Sequence, residues 1–275
     1  MTPSQDLQSR MDAILDEMRA MPSLVVAFSG GVDSTLVAAL AHRALGARAL
    51  AVTAVSETLG SAELEEAKQL AAEIGIRHEL IEFSELSDED FRANTSARCF
   101  YCQSMRFEQL RAMARAHGCD VVASGSNESD LGDHRPGLKA MEQQQVYQPL
   151  LTHHVTKPEV RAMAQALGLS AWNKPAKACL SSRIPYGIEV TAGRLRRVEA
   201  AEEVLTELGF VQFRVRDHAG HARVEIDPTE QAAALGASTL RAIAQGVREA
   251  GFERVSLDLV GYRSGSLNPV AATAG

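Results

Sequence analysis

One stretch constrains this chain more than any other: Leu24-Val25-Val26-Ala27-Phe28 running directly into Ser29-Gly30-Gly31-Val32-Asp33-Ser34. A continuous apolar run of this length reads as a strand buried on both faces, hence a parallel one. It enters a glycine turn, and residues 34–45 follow with helical periodicity. The glycines let the backbone turn tightly and come close to a ligand. The helix start offers unpaired N–H groups and a positive dipole end, which together suit a pyrophosphate. Ser29 and Ser34 add hydroxyl donors, and Asp33 either caps the helix or helps hold Mg2+. A lone Gly-Gly would be a plain capped corner. The whole hexapeptide between strand and helix reads as a phosphate loop, though not a Walker loop, since no Gly-Lys-Ser/Thr is present.

The pattern around this corner predicts an α/β protein with a doubly wound parallel sheet. Further strands are expected over 47–55, 78–83 and 120–124, alternating with helices over 61–74 and 103–117. An amphipathic helix is expected in the first twenty residues. Residues 127–150 read as a polar loop over the carboxyl edge of the sheet, followed by a helix over 156–167 with Pro158 in its first turn. Residues 172–189 combine two prolines, two lysines, Cys179, two serines and Arg183 with little periodicity, and read as a functional interdomain loop. The pattern then changes: a helix over 191–208, strands near 210–216 and 222–226, a helix over 238–250 and a strand over 255–260. The expected organisation is a nucleotide domain over 1–171, the loop over 172–189, a small α+β substrate or oligomerisation domain over 190–263, and a tail over 264–275.

Composition narrows the functional classes. The chain is 45% hydrophobic and 23% charged, enough for a sizeable core. Its formal charge of −7 argues against a dedicated nucleic-acid binder, which needs a basic surface. No apolar run approaches a membrane span, and the first twenty residues lack the basic head and apolar run of a signal peptide. A cytoplasmic protein is expected. Four cysteines in 275 residues do not make a disulfide scaffold; clustered in a reducing compartment, they point to metal or reactivity.

Cys99-Phe100-Tyr101-Cys102 is a C-x-x-C, a spacing shared by redox pairs, zinc half-sites, iron–sulfur half-sites and chance. Cys179 lies in the functional loop among Lys174, Lys177 and Arg183, and nearby cations favour the thiolate. Cys119, at the mouth of an apolar strand, reads as a buried core thiol. Three cysteines cannot close a structural zinc site without a histidine. They suit a 4Fe-4S cluster held at three irons with the fourth open. The alternative is a C-x-x-C that merely packs, plus one catalytic cysteine.

The hexapeptide resembles the PP-loop of the ATP pyrophosphatase family, whose members release pyrophosphate and leave AMP on the substrate. In that family the residues at Val52-Thr53-Ala54 usually seat adenine on backbone groups. Gly125-Ser126-Asn127-Glu128-Ser129-Asp130 is similar to a segment lying near nucleotide and Mg2+, and reads equally well as a turn cap built from Asn and Asp. Adding Arg98-Cys99-x-x-Cys102, Arg135-Pro136-Gly137-Leu138 and Cys179-Leu180-Ser181-Ser182-Arg183-Ile184-Pro185-Tyr186-Gly187, the chain resembles the LarE-type sulfur transferases over most of its length.

That resemblance implies adenylylation of a carboxylate of pyridinium-3,5-biscarboxylic acid mononucleotide, then replacement of oxygen by sulfur, in nickel-pincer nucleotide synthesis for lactate racemase. In one subtype a single cysteine, aligned with Cys179, gives up its sulfur and becomes dehydroalanine. In the other, three cysteines hold a 4Fe-4S cluster carrying an extra sulfide; Cys99, Cys102 and Cys179 match that subtype. ATP and Mg2+ are implied as well, together with a small-molecule nucleotide substrate, a sulfide donor that the sequence does not identify, and a homo-oligomer. Arg214 and Arg216 alternate on an expected strand and so share a face. They suit the substrate phosphate, or else form a solvated face of ordinary surface arginines. The resemblance brings Glu202 and Glu225 near the site, and Arg183 completes the expected substrate set. Three rivals differ in class. A tRNA thiolase would need an RNA-binding surface, and an ammonia-using PP-loop synthetase leaves the three cysteines idle. A non-catalytic nucleotide-binding iron–sulfur protein would release no pyrophosphate.

Overall fold

The computed structural model describes residues 5–131, 136–175 and 178–263. They divide into two compact units, one of residues 1–84 and 99–177, the other of residues 85–98 and 178–275. The segment 85–98 thus groups with the second unit, where the sequence pattern had placed it in a continuous first domain.

The first unit is built on α1 (Gln5–Arg19), β1 (Leu24–Ala27), α2 (Val32–Leu45), β2 (Ala49–Val55), α3 (Ser61–Ile74) and β3 (Arg77–Glu82). The second unit's α4 (Glu89–Arg92) interrupts it. The chain then continues through α5 (Arg98–Ala116), β4 (Val122–Ala123), α6 (Pro136–Gln143), α7 (Pro149–Thr152) and α8 (Lys157–Ala166). The four strands are parallel in the order β3-β2-β1-β4. Alternate residues of β1 and β2 serve two different cores, as period-2 geometry requires. Leu24, Val26, Phe28, Ala49 and Ala51 pack with α1, α2, α3 and α8. Val25, Leu50 and Val52 pack with Phe107, Leu110 and Ala114 of α5. Both faces are covered, which is why β1 carries no polar residue. Cys119 lies buried in the second of these cores, the expected structural thiol.

The order of winding reverses at β1, whose neighbours are β2 on one side and β4 on the other. Ligands of open α/β sheets bind beyond the carboxyl ends of strands at such a reversal. The sequence 29–34 leaves β1 there.

Two expectations need correction. The C-x-x-C, left outside the helix expected over 103–117, lies within it: α5 begins at Arg98, because the run from 98 to 116 contains no glycine or proline and Thr95 opens the turn ahead of it, accepting from Arg98 N–H at 3.0 Å. The stretch 127–150 is not one polar loop either. It contains α6 and α7, and Ala140 and Val146 are buried, so apolar residues scattered at helical spacing were sufficient to fold it. No helix of the described residues is long and apolar enough to cross a membrane.

The second unit holds α9 (Ala192–Glu207), β5 (Phe213–His218), β6 (His221–Ile226), α10 (Gln231–Ala234), α11 (Ala237–Glu249) and β7 (Arg254–Leu257). Strands β5 and β6 form an antiparallel hairpin, and β6 pairs in parallel with β7. Val215, Asp217, Ala222, Val224 and Ile226 are fully buried, and Arg194 and Arg197 of α9 reach Asp217. By the period-2 rule the opposite sheet face carries Arg214, Arg216, His218, Arg223 and Glu225. The tail expected over 264–275 lies outside the described residues.

Candidate active site

The corner after β1 is wired to itself. Gly30 has φ 68°, and an added Cβ would sit 3.0 Å from Ala67 Cα, so the position requires glycine. Ser34 Oγ donates to Gly31 O at 3.1 Å and accepts from Ser29 N–H at 3.2 Å. With its one hydrogen so used, Ser34 Oγ accepts from Ser29 Oγ across 3.1 Å. Both hydroxyls therefore close the loop internally. Gly31 is the N-cap of α2 and makes no side-chain cap bond. The first-turn N–H groups of a 14-residue helix thus face the reversal point without a side-chain acceptor from the cap.

Asp33 was expected either to cap α2 or to help hold Mg2+, and it does not cap. Its Oδ1 accepts from Asn127 Nδ2 at 3.1 Å and its Oδ2 meets Lys157 Nζ at 2.5 Å. Asn127 combines both readings weighed for its segment. Its Oδ1 accepts from Ser129 N–H while Asp130 accepts from its own N–H, a reciprocal cap. Its amide is left to orient Asp33. Gly125 lets this segment touch the helix start, since a Cβ there would lie 2.7 Å from Ser34 N. Lys174 Nζ donates to Gly30 O at 2.9 Å and pairs with Glu66 at 2.6 Å. Lys157 was not singled out from sequence. Its signal was present in Thr156-Lys157-Pro158-Glu159, where Thr156 and Glu159 form a capping box that fixes the first turn of α8.

Thr53, expected at the nucleotide base, has its hydroxyl engaged in the fold. It donates to Phe28 O at 2.7 Å, so it accepts from His78 Nε2 at 2.8 Å. The His78 ring stands edge-on to Phe28. Burial, and behind it the charge of Lys68, holds the His78 pKa below its ordinary value. This chain ties β1, β2 and β3 together at the end that carries the phosphate loop.

In the second unit the Cys179 loop is pinned from two sides. Asn94, fully buried at φ 53°, donates from Nδ2 to the carbonyls of Ile184, Pro185 and Ile188 at 3.3, 2.9 and 2.7 Å. Asparagine tolerates this left-handed conformation better than most residues. Arg98 donates to Asn94 Oδ1 and to Ser181 O and stacks on Tyr186. On the other side Arg183 Nη1 donates to the carbonyls of Ala178 and Cys179. The remaining edge of that guanidinium makes a bidentate pair with Glu202 at 2.9 and 2.8 Å. Cys179 itself is half-buried, precedes the single turn Leu180–Arg183, and has its Sγ 3.1 Å from Ser181 Oγ.

Arg214 and Arg216 are buried, at 6% and 5% exposure, so the alternative of a solvated face is excluded. Arg216 pairs with Glu225 Oε2 through Nε at 3.0 Å and Nη2 at 2.8 Å, and reaches Ser182 O. Desolvation, then the nearby charge of Arg183, lowers the pKa of Arg214. Glu202 holds Arg183 and accepts from Val215 N–H. It orients the loop rather than standing free for a substrate. Asn94 was missed from sequence, because an isolated asparagine far from the loop gives no local signal.

Cys99 and Cys102 stand three residues apart in the first turn of α5, on one helical face, half-buried and buried respectively. Within either unit, no three His, Cys, Asp or Glu side chains of the described residues group as a metal site. Lys177 and Arg135 lie outside the described residues.

Comparison with known proteins agrees with this geometry. The asparagine synthase family model matches residues 10–166. The chain is 36% identical to pyridinium-3,5-bisthiocarboxylic acid mononucleotide synthase of Lactiplantibacillus plantarum, covering 98% of this chain and 97% of that one. An uncharacterised protein of Synechocystis sp. is 42% identical over 96% of this chain and 98% of its own. A tRNA-specific 2-thiouridylase of Zymomonas mobilis is 31% identical, over only 58% of this chain and 53% of that one. The chain belongs to the PP-loop ATP pyrophosphatase family, in its LarE-type branch of ATP-dependent sulfurtransferases.

Proposed function

We propose that this enzyme acts in nickel-pincer nucleotide biosynthesis, adenylylating a carboxylate of pyridinium-3,5-biscarboxylic acid mononucleotide and replacing its oxygen with sulfur. The observation that carries this reading is the near full-length similarity to the bisthiocarboxylic acid mononucleotide synthase, joined to a phosphate loop and a cysteine loop braced by an Arg–Glu pair. The tRNA thiolases cover 38% to 74% of the chain, against 98% for the mononucleotide synthase, which favours the nucleotide substrate over RNA. Cytoplasmic location and homo-oligomeric assembly complete the reading.

In this mechanism the first turn of α2 and the Gly30-Gly31 backbone hold the β and γ phosphates. Asp33, oriented by Asn127, would hold Mg2+, which would supply positive charge to the phosphates. Lys157, paired with Asp33 at the same corner, supplies a positive charge for the phosphates. The substrate carboxylate attacks the α-phosphorus, the bond to the pyrophosphate oxygen breaks, and the charge of that leaving group is met by Lys157 and the helix dipole. Positioning supplies much of the rest of the acceleration. Arg214 and Arg216 hold the mononucleotide phosphate, as buried guanidinium groups suit a phosphate geometrically. Sulfur then displaces AMP at the activated carbonyl.

For the sulfur we favour the three-cysteine subtype. Cys99 and Cys102 fit two neighbouring positions of a cluster, being on one helical face. With Cys179 they would hold a 4Fe-4S group, which when bound supplies an open iron for external sulfide. Protein purified without oxygen should be brown, contain about four irons per chain, and turn over repeatedly with ATP, mononucleotide and sulfide. Cys99→Ala should then be as damaging as Cys179→Ala. Colourless protein that delivers one sulfur and leaves Cys179 lighter by the mass of hydrogen sulfide would replace this with sacrificial transfer. No pyrophosphate release with the mononucleotide would end the functional reading itself.

A further inference from the structure

Tyr262 follows the last strand, and nothing in its immediate sequence marks it, yet the backbone before it is built for one conformation. Asp258 Oδ1 accepts from the N–H groups of Val260 at 2.8 Å and Gly261 at 3.2 Å. Gly261 has φ 79°, and a Cβ there would lie 2.5 Å from both Ile226 O and Gln231 Nε2. No other residue fits without displacing the strand β6 end or α10. Tyr262 N–H then donates to Ile226 O at 3.0 Å. The turn thus delivers one side chain to one place: the Tyr262 ring, with Arg214 Cζ 4.8 Å from its centroid.

Arg214 donates from Nη1 to Phe213 O and lies near the charges of Arg183, Arg216 and Glu202. On this buried face Arg183, Arg214 and Arg216 share their surroundings with two carboxylates, Glu202 and Glu225, and Arg223 also draws on Glu225. Glu202 holds Arg183 and Glu225 holds Arg216, each engaging two nitrogens of its guanidinium. Against Arg214 stands an aromatic face. A guanidinium over a ring face gains cation–π attraction, and its N–H groups directed away from the ring can still donate to a phosphate oxygen. The ring also shields the cation from water, which strengthens its pull on an incoming anion.

We propose that Tyr262 is a positioning residue for the substrate phosphate: its ring fixes Arg214 in the orientation that, with Arg216, grips the phosphate monoester of the mononucleotide. This rests on the reading of Arg214 and Arg216 as the phosphate-holding pair.

The test measures pyrophosphate release by the full enzyme, with KM for mononucleotide and for ATP determined separately. Tyr262→Ala should raise KM for the mononucleotide about two- to thirtyfold, the range spanned by exposed to desolvated cation–π contacts. KM for ATP and kcat should stay near wild type. Tyr262→Phe keeps the ring and should behave as wild type. Tyr262→Leu keeps apolar bulk without a π face and should be as impaired as Tyr262→Ala, which separates positioning from simple packing. The Arg214→Ala, Arg216→Ala double variant serves as reference. If it raises KM while Tyr262→Ala and Tyr262→Leu do not, Tyr262 has no such role and the phosphate reading stands. If Tyr262→Leu is normal, Tyr262 only packs. If the double variant leaves KM unchanged, the phosphate reading fails and this inference fails with it.

Discussion

The phosphate corner of the first unit and the arginine cluster of the second both present positive potential to an anion, but with different materials. The corner uses backbone N–H groups and a helix dipole, in a loop that two serine hydroxyls close internally, with a partly buried Lys157–Asp33 pair as its charged component. The cluster uses full charges, buried among one another and held by the partly buried Glu202 and the buried Glu225. Partial charges on a backbone are aligned by folding and cost little to keep in place. Whole charges removed from water are costly, and each needs a partner to hold it. Loss of the corner's charged groups should therefore cost chemistry more than stability, and loss of a carboxylate from the cluster should cost stability first.

The largest effect is expected at the cluster. Glu202→Ala leaves Arg183 buried, at 3% side-chain exposure, without the carboxylate that engages two of its nitrogens. Breaking such a pair should destabilise the protein by about 3–5 kcal/mol, read by chemical denaturation, with Glu202→Gln in between. A loss below about 1 kcal/mol would mean that this cluster is no more structural than a surface ion pair. At the corner, Asp33→Ala should lower the rate of AMP formation about 100-fold or more while the denaturation midpoint barely moves. Adenylylation near the wild-type rate would remove Asp33 from the Mg2+ site, and a large loss of stability would erase the contrast between the two regions.

The smallest effect concerns His78 behind the corner. Its folded pKa lies below the ordinary value of 6.5 because burial disfavours the cation. The native state therefore binds this proton less tightly than the unfolded chain. Its contribution is fully present above pH 6.5 and is lost as pH falls from there through the folded value. His78→Gln keeps an Nε2–H donor for Thr53 but does not titrate. Between about pH 7.5 and pH 5.5, wild type should lose stability relative to His78→Gln by less than ~1 kcal/mol, the group being half-exposed. Equal losses in the two proteins would show that His78 titrates as it does in water.

The contrast also explains what could be read in advance. The corner is contiguous, because a strand, a turn and a helix start are neighbours along the chain, so six residues carry its signature. The cluster draws on residues 183, 202, 214, 216, 225 and 262, and no window contains it. Alternation correctly put Arg214 and Arg216 on one face, but period alone cannot tell a buried face from a wet one. Only the carboxylates arriving from α9 and β6 decided that. The same limit hid Lys157, 124 residues from Asp33, and Asn94, whose amide meets carbonyls about 90 residues away.

By itself the sequence determined what local periodicity and short-range stereochemistry control. That covers the parallel sheet from its apolar runs, the phosphate loop from its glycines, the second α+β unit from its change of pattern, and the thiol pair from its spacing. The tertiary structure decided what depends on contacts between distant residues. It moved 85–98 into the second unit, started α5 early enough to put Cys99 and Cys102 on one helical turn, and committed the hydroxyl of Thr53 to the sheet. It also turned three arginines inward against two glutamates. The physical reason is the same throughout: propensity and period act over a few residues, whereas burial, which sets the strength of every charge and hydrogen bond in these sites, is a property of the folded whole.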